Sequence, residues 1–288
     1  MVRDKRGPAV IPRRVKRLCV AAALALCGVS LWALDLTQGR VKLTLHEGIG
    51  RFTLSYLTDL KGTSYKPLLV ANDPRTTILS LAVGNKVYRM GEGTEFREAV
   101  EKTGDGASFV WTSPFMVVRE EFSFVSSAGS PLPDGIRMEL TVKNTSDQDL
   151  GVGVRYLFDT SLGEASYVHF RTDKIAEISR EQTLSRQDRA AYWVSPLVGD
   201  PEALGLMSML SGPGITPPDR VVFANWKRLS DAPWTYETSP TRTFSLLPYS
   251  VNDSAVCQYY DIRCMKLDDY MSDQGWSFTL VIPPAENG

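Results

Sequence analysis

The chain has 288 residues, 43% of them hydrophobic, and carries 32 basic and 33 acidic side chains, which leaves a formal net charge of −1. That length buries a large core. No Lys/Arg-rich run follows residue 34, so the composition excludes the basic footprint of a nucleic-acid partner.

The N-terminus groups Arg13, Arg14, Lys16 and Arg17 ahead of the apolar run Leu18 to Leu34, the n-region and h-region of a secretion signal. The small residue Ala33 and the change to polar LDLTQGRVK place cleavage after Ala33, giving a signal peptide over 1–33 and one domain over 34–288. Seven basic residues and one acidic residue leave with the signal. The remaining chain holds 25 basic and 32 acidic residues, a net charge of −7. The expected location is the periplasm or the outside of the cell.

Leu18 to Leu34 lies at the lower end of a bilayer-spanning length, so an uncleaved anchor is an alternative, and Cys27 offers a loose lipidation site. These are the two routes by which the chain would touch a membrane. Arg13-Arg14 is read as ordinary n-region charge rather than a twin-arginine signal. Cys19 and Cys27 belong to the leader. Cys257 and Cys264, separated by six residues, are expected to close a small disulfide loop across a turn in an oxidising compartment, with two free thiols as the alternative.

From residue 40 the pattern has period two, which is the mark of strands with one buried face. Val41, Leu43 and Leu45 alternate with polar residues. Phe52, Leu54 and Tyr56 do the same, and the turn Gly48 to Gly50 between them predicts a hairpin. Further strands are read at Ile78 to Val83, Phe109 to Thr112, Phe115 to Val125, Leu204 to Leu210, Arg220 to Trp226, Ala255 to Tyr260 and Trp276 to Ile282. The clearest pair lies mid-chain. Ile136, Met138, Leu140 and Val142 form one apolar face, the turn formers Asn144 to Asp149 follow, and Val152, Val154, Tyr156 and Phe158 rebuild the face.

About fifteen strands result, with one short polar helix over Ile175 to Arg189 and a loop at Ser211 to Asp219. The βαβ alternation of a parallel sheet is missing. The expected fold is all-β, a large antiparallel β-sandwich with little helix.

The segment IRMELTVKNTSDQDLGVGVRYLFDTSLGE, Ile136 to Glu164, resembles the central hairpin of galactose-mutarotase-like supersandwich domains. PYSVNDSAVCQYYD, Pro248 to Asp261, with the strand WSFTLVI, is similar to the closing strands of exported members of that group. The resemblance implies a supersandwich whose concave face holds a sugar. It also implies a histidine pair and a late carboxylate that open and close the sugar ring by acid and base catalysis. Where those enzymes carry a histidine after the central turn, Gly153 to Phe158 reads GVRYLF.

This chain has two histidines. His46 shares the polar side of its strand with Lys42 and Thr44. His169 follows the DTSLGE loop and is the better ligand-binding candidate. Arg155 and Asp159 fall on one side of a strand, where a charged pair either bonds sugar hydroxyls or fixes the sheet. Trp226, Trp234 and Tyr236 cluster in NWKRLSDAPWTY, read as a loop whose flat rings either stack on sugars or bury at the sandwich end, and Asn225 favours a polar rim.

Asp268 to Gly275 lacks the order of an EF-hand and reads as a solvated turn. No zinc spacing, no G-x-S-x-G nucleophile elbow and no phosphate-binding glycine loop occurs, so no metal, cofactor or catalytic residue is assigned. Sequons stand at Asn144 and Asn252. The leading expectation is an extracytoplasmic, non-catalytic binding or envelope-assembly protein, with a glycan or another envelope protein as partner. The alternatives are a carbohydrate-active enzyme using carboxylates such as Asp159 and Glu164, and a structural accessory of a periplasmic machine such as a flagellum or secretion system.

Overall fold

A computed structural model describes residues 33–164, 168–188, 190–197, 205–248 and 250–265, and the backbone of the strand 276–281. The expected leader, the Asp268 to Gly275 turn and residues 166 and 167 beside His169 lie outside the described residues.

The chain begins with β1 (Ala33–Gln38), β2 (Val41–His46), β3 (Arg51–Leu57), β4 (Tyr65–Pro67), β5 (Ile78–Val83) and β6 (Lys86–Arg89). It continues through β7 (Arg97–Thr103), β8 (Gly106–Thr112), β9 (Met116–Val125), β10 (Gly135–Asn144), β11 (Leu150–Asp159) and β12 (Arg171–Thr172). It closes with β13 (Gln182–Ser185), β14 (Tyr192–Pro196), β15 (Gly205–Met209), β16 (Arg220–Asn225), the helix α1 (Trp226–Asp231), β17 (Ser254–Met265) and β18 (Trp276–Val281).

Three antiparallel sheets result, with orders β1-β2-β3-β4, β12-β14-β15-β18-β10-β9-β8-β7 and β13-β16-β17-β11-β5-β6. The expected first hairpin forms, with Leu45 opposite Phe52. One apolar core joins all three sheets, drawing Leu45 and Phe52 from the first, Phe122 and Met138 from the second, and Val154 and Phe158 from the third. Phe52 meets Phe122 at a ring-centroid separation of 5.0 Å, which ties the small sheet to the eight-stranded one. Each fully buried ring or leucine of this kind contributes roughly 1.5–3 kcal/mol by leaving water, so the shared core outweighs any single polar contact between sheets.

The mid-chain pair departs from the expected hairpin. β10 takes β9 and β18 as neighbours, whereas β11 takes β5 and β17. The turn between them therefore carries the chain from one sheet to the other. The apolar faces of β10 and β11 look at each other across the sandwich instead of lying side by side. Asn144 shapes the crossing: it is fully buried, its amide donates to Gln148 O at 2.7 Å, and its Oδ1 accepts the Ser146 N–H at 3.0 Å.

Two further expectations change. Among the described residues of Ile175 to Arg189 no α-helix forms, because Ile178 bridges to Phe170 and Gln182–Ser185 pairs with β16, and a single 3-10 turn follows at Arg186–Asp188. The helix instead follows Asn225, whose Oδ1 caps the Arg228 N–H at 3.3 Å and starts α1. Among the described residues no helix is long and apolar enough to cross a membrane.

The disulfide expected between Cys257 and Cys264 is corrected. Both lie in the single strand β17, Cys257 opposite Leu157 and Cys264 opposite Gly151 with a β-bulge between them, and both are free. Seven steps along a strand separate their Cα atoms by about 23 Å, far beyond the ~7 Å that a disulfide bridges. The turn assumed between them does not exist.

β11 is buried on both faces from Val152 to Asp159. Its inner face joins the main core. On the outer face Leu157, with Ile78, Val222, Ala224, Ala255, Cys257, Tyr259 and Leu229 of α1, builds a second core against which Trp226 and Tyr236 pack. The segment that begins with α1 thus covers the outside of the six-stranded sheet.

Candidate functional site: three carboxylates at the end of the central strand

β11 ends at Asp159, which pairs with Ala255 near the start of β17, and Ser254 pairs in turn with Asn225 at the end of β16. Three strand ends therefore meet at one edge of the six-stranded sheet. The chain beyond Asp159 curls through residues 160–164. The Ser254 N–H then donates to Glu164 Oε1 at 2.8 Å, drawing Glu164 back to the strand ends. Gly163 permits this curl, since a Cβ there would stand 2.5 Å from Val168 O and 2.6 Å from His169 Cα.

The result is a cluster in which one carboxylate oxygen from each of Asp159, Glu164 and Asp253 lies within 4.8 Å of the other two. Backbone contacts hold each member. The Asp159 N–H donates to Thr77 Oγ1 at 3.2 Å, and its carbonyl accepts from Val70 N. Asp253 O accepts the Trp226 N–H at 2.8 Å and the Asn225 amide at 3.1 Å. Trp226 also donates its indole N–H to Thr76 O at 2.8 Å, which stations a half-buried ring beside the cluster.

Burial pushes the Asp159 carboxyl up to about 7. The neighbouring Asp253, Glu164 and Asp73 carboxylates add to this, while the Thr76 hydroxyl opposes it. Glu164 is likewise raised to about 7, by burial and by Asp253 and against the Ser254 N–H. Burial raises Asp253 as well. Among the described residues no lysine or arginine forms an ion pair with any of the three. Chemically the cluster is an array of hydrogen-bond acceptors that also stores protons near neutral pH.

The other residues marked in the sequence take separate places. His169 is 2% exposed, packs its ring at 4.5 Å from that of Phe244, and leaves Nδ1 without a hydrogen-bond partner. Burial lowers it to about 4, so it is neutral at physiological pH. His46 sits in the four-stranded sheet beside Thr53, at 3.3 Å. The two histidines do not meet.

Arg155 does not pair with Asp159, although both line the outer face of β11. It is 1% exposed, donates to the carbonyls of Ala232 and Trp234 at 3.1 and 2.9 Å, and lies 5.7 Å from the Trp234 ring. Trp234 meets Tyr259 edge-on, and the Tyr236 hydroxyl donates to Glu181 at 2.9 Å. Arg155, Trp234 and Tyr236 thus fasten the covering segment to the sheet, and of the three aromatic residues only Trp226 borders the carboxylates. Asn225 is fully buried and spends its side chain on the cap and on the carbonyls of Phe244 and Asp253.

Sequence reasoning named Asp159 and Glu164 but not Asp253. Its one local signal was its place inside the sequon Asn252-Asp253-Ser254 of the closing segment. Two clefts of about 620 and 560 Å³ lie elsewhere, one lined by Leu184, Arg186, Leu210 and Pro217, the other by Lys86, Tyr88, Glu95 and Asp231.

No protein-family model matches the sequence, and no curated protein matches it. The fold does have solved counterparts. A galactose mutarotase-like protein from Lactobacillus casei ATCC 334 superposes with a TM-score of 0.52 at 9% identity, covering 88% of this chain and all of its own. A galactose mutarotase related enzyme from Lactobacillus acidophilus gives 0.46 at 10% identity, covering 89% of this chain and 99% of its own. The fold is galactose-mutarotase-like.

Proposed function

We propose that this chain is an extracytoplasmic, non-catalytic binding protein that holds a carbohydrate at the carboxylate-lined end of its six-stranded sheet. The convergence of Asp159, Glu164 and Asp253 beside the half-buried Trp226 ring carries the proposal. Carboxylate oxygens accept hydrogen bonds from sugar hydroxyls, and an indole face stacks on the apolar face of a sugar ring, so the two together match the two sides of a pyranose. The leader pattern at residues 13–34 supports export, and the galactose-mutarotase-like fold supports a sugar as ligand. A binding role rather than ring opening is favoured because His46 and His169 lie in different parts of the fold and His169 is enclosed.

A glycan array on the purified protein tests this reading. Binding that falls about tenfold, a loss of roughly 1.4 kcal/mol, in both Glu164→Gln and Trp226→Ala supports it. A glycan bound equally by wild type and both variants places recognition elsewhere, and capture of an envelope protein with no glycan bound favours the assembly role instead.

One observation favours a second reading. Asp159 and Glu164, both raised to about 7, form a close carboxyl pair that can hold one proton between them near neutral pH and so supply both an acid and a base to a sugar. On that reading the protein releases or interconverts sugars at a rate that Asp159→Asn abolishes.

A further inference from the structure

We infer that Asp159, Glu164 and Asp253 form a calcium site. The geometry suits a large hard cation, because oxygens that share one ion at a Ca–O distance of 2.3–2.6 Å stand at most about 4.6–5.2 Å apart, and the three carboxylates converge within 4.8 Å. Zinc is disfavoured, because its sites draw chiefly on Cys sulfur and His nitrogen, with carboxylate oxygen as an added ligand, and the cluster offers oxygen alone.

One observation beyond the convergence points to a missing partner. Asp159 is 4% exposed, and its Oδ1 has no hydrogen-bond donor although the carboxylate faces the other two. A buried acceptor left unmade costs about twice what a made hydrogen bond returns, so oxygens arranged this way need either a proton or a cation. The Lys and Arg side chains that neutralise acids elsewhere are spent away from the cluster: Arg75 on Asp73, Lys227 on Asp231 and Arg228 on Glu181. Three carboxylates facing one another with no side-chain cation among the described residues are the arrangement that a divalent ion relieves.

The site uses the same side chains as the proposed glycan site, but it does not depend on a glycan. An ion here would leave open coordination positions at the half-buried Glu164 and Asp253, where water or two sugar hydroxyls complete its shell.

The test is thermal melting and calorimetry on the purified, EDTA-treated protein without glycan, with calcium and magnesium as the probes. Calcium at about a hundredfold excess over Kd is expected to raise Tm by roughly 5–10 °C, and magnesium by clearly less. Asp253→Asn and Glu164→Gln should each abolish the calcium increment while melting higher than the wild type in EDTA, since each removes a repelling charge. A merely structural carboxylate would not give that pair of opposite changes. No calcium increment in the wild type, or an increment that survives in both variants, overturns the site. A calcium increment without glycan binding upholds the site and counts only against the carbohydrate reading.

Discussion

Glu120 shows how a single side chain sets a pH dependence. It lies on the inward face of β9 with Met116, Val118 and Phe122, is 2% exposed, and accepts the Tyr156 hydroxyl at 2.6 Å from the opposite sheet. Burial raises its carboxyl to about 7, against the Tyr156 hydrogen bond and the Arg51 charge. Between the ordinary carboxyl value and about 7 the folded chain keeps a proton that the unfolded chain has released. Glu120 therefore lowers stability as pH rises through that window, by an amount on the order of 3 kcal/mol, and adds no further change above it. Glu120→Gln keeps the Tyr156 acceptor and removes the titration. Urea denaturation from pH 4.5 to 8 should show a shallower decline in the variant; an identical decline would remove Glu120 from the account. The alternation Met116-Val117-Val118-Arg119-Glu120 already places Glu120 on the apolar face, but nothing local names Tyr156 as its partner, because that contact spans two sheets.

At the scale of elements, Glu181 anchors the segment that covers the six-stranded sheet. It is 3% exposed and meets Arg228 at 2.7 Å, Arg242 at 2.9 Å, the Tyr236 hydroxyl, and the Ser239 N–H at 3.1 Å. The two arginines are partly exposed, and Arg228 keeps the carbonyls of Thr243, Ser245 and Leu246, so removing Glu181 costs the charged hydrogen bonds themselves, about 1.5–3 kcal/mol. Glu181→Ala is expected to lose that much in urea, with hydrogen exchange rising first over residues 226–248; a loss below about 1 kcal/mol would show that the segment is held by its aromatic packing alone.

β17 supplies a second test at this scale. Cys264 is exposed, whereas Cys257 is buried and its thiol is raised to about 11 by that burial, only partly offset by Arg155. In the native protein Cys264 should react with a thiol reagent and Cys257 only after unfolding. Equal protection of both, reversed by a reductant, would restore the disulfide.

These elements also mark what the sequence conveys. Alternation identified which faces of β10 and β11 are apolar, but the same pattern serves a hairpin and a crossing between sheets, so the neighbours of each strand were not legible. α1 escaped notice because six residues present no helical stripe, and its start depends on the Asn225 cap.

For the whole molecule, composition and period-two patterning sufficed for an all-β antiparallel sandwich, since strands with one apolar face close a core in few other ways. The site was less legible. Asp159 and Glu164 are neighbours along one loop and were found, whereas Asp253 joins them only because β16 and β17 end beside β11, a juxtaposition of segments about ninety residues apart. Aromatic residues in NWKRLSDAPWTY drew attention by type, yet their roles follow from position: Trp226 borders the carboxylates, and Trp234 and Tyr236 secure the covering segment.

We propose sugar recognition at the carboxylate-lined end of the six-stranded sheet. It is tested most directly by calorimetric titration of the purified protein with the strongest glycan from an array, in wild type and Glu164→Gln. Saturable binding that weakens about tenfold in the variant is the expected result. Binding of equal strength in both proteins would contradict it.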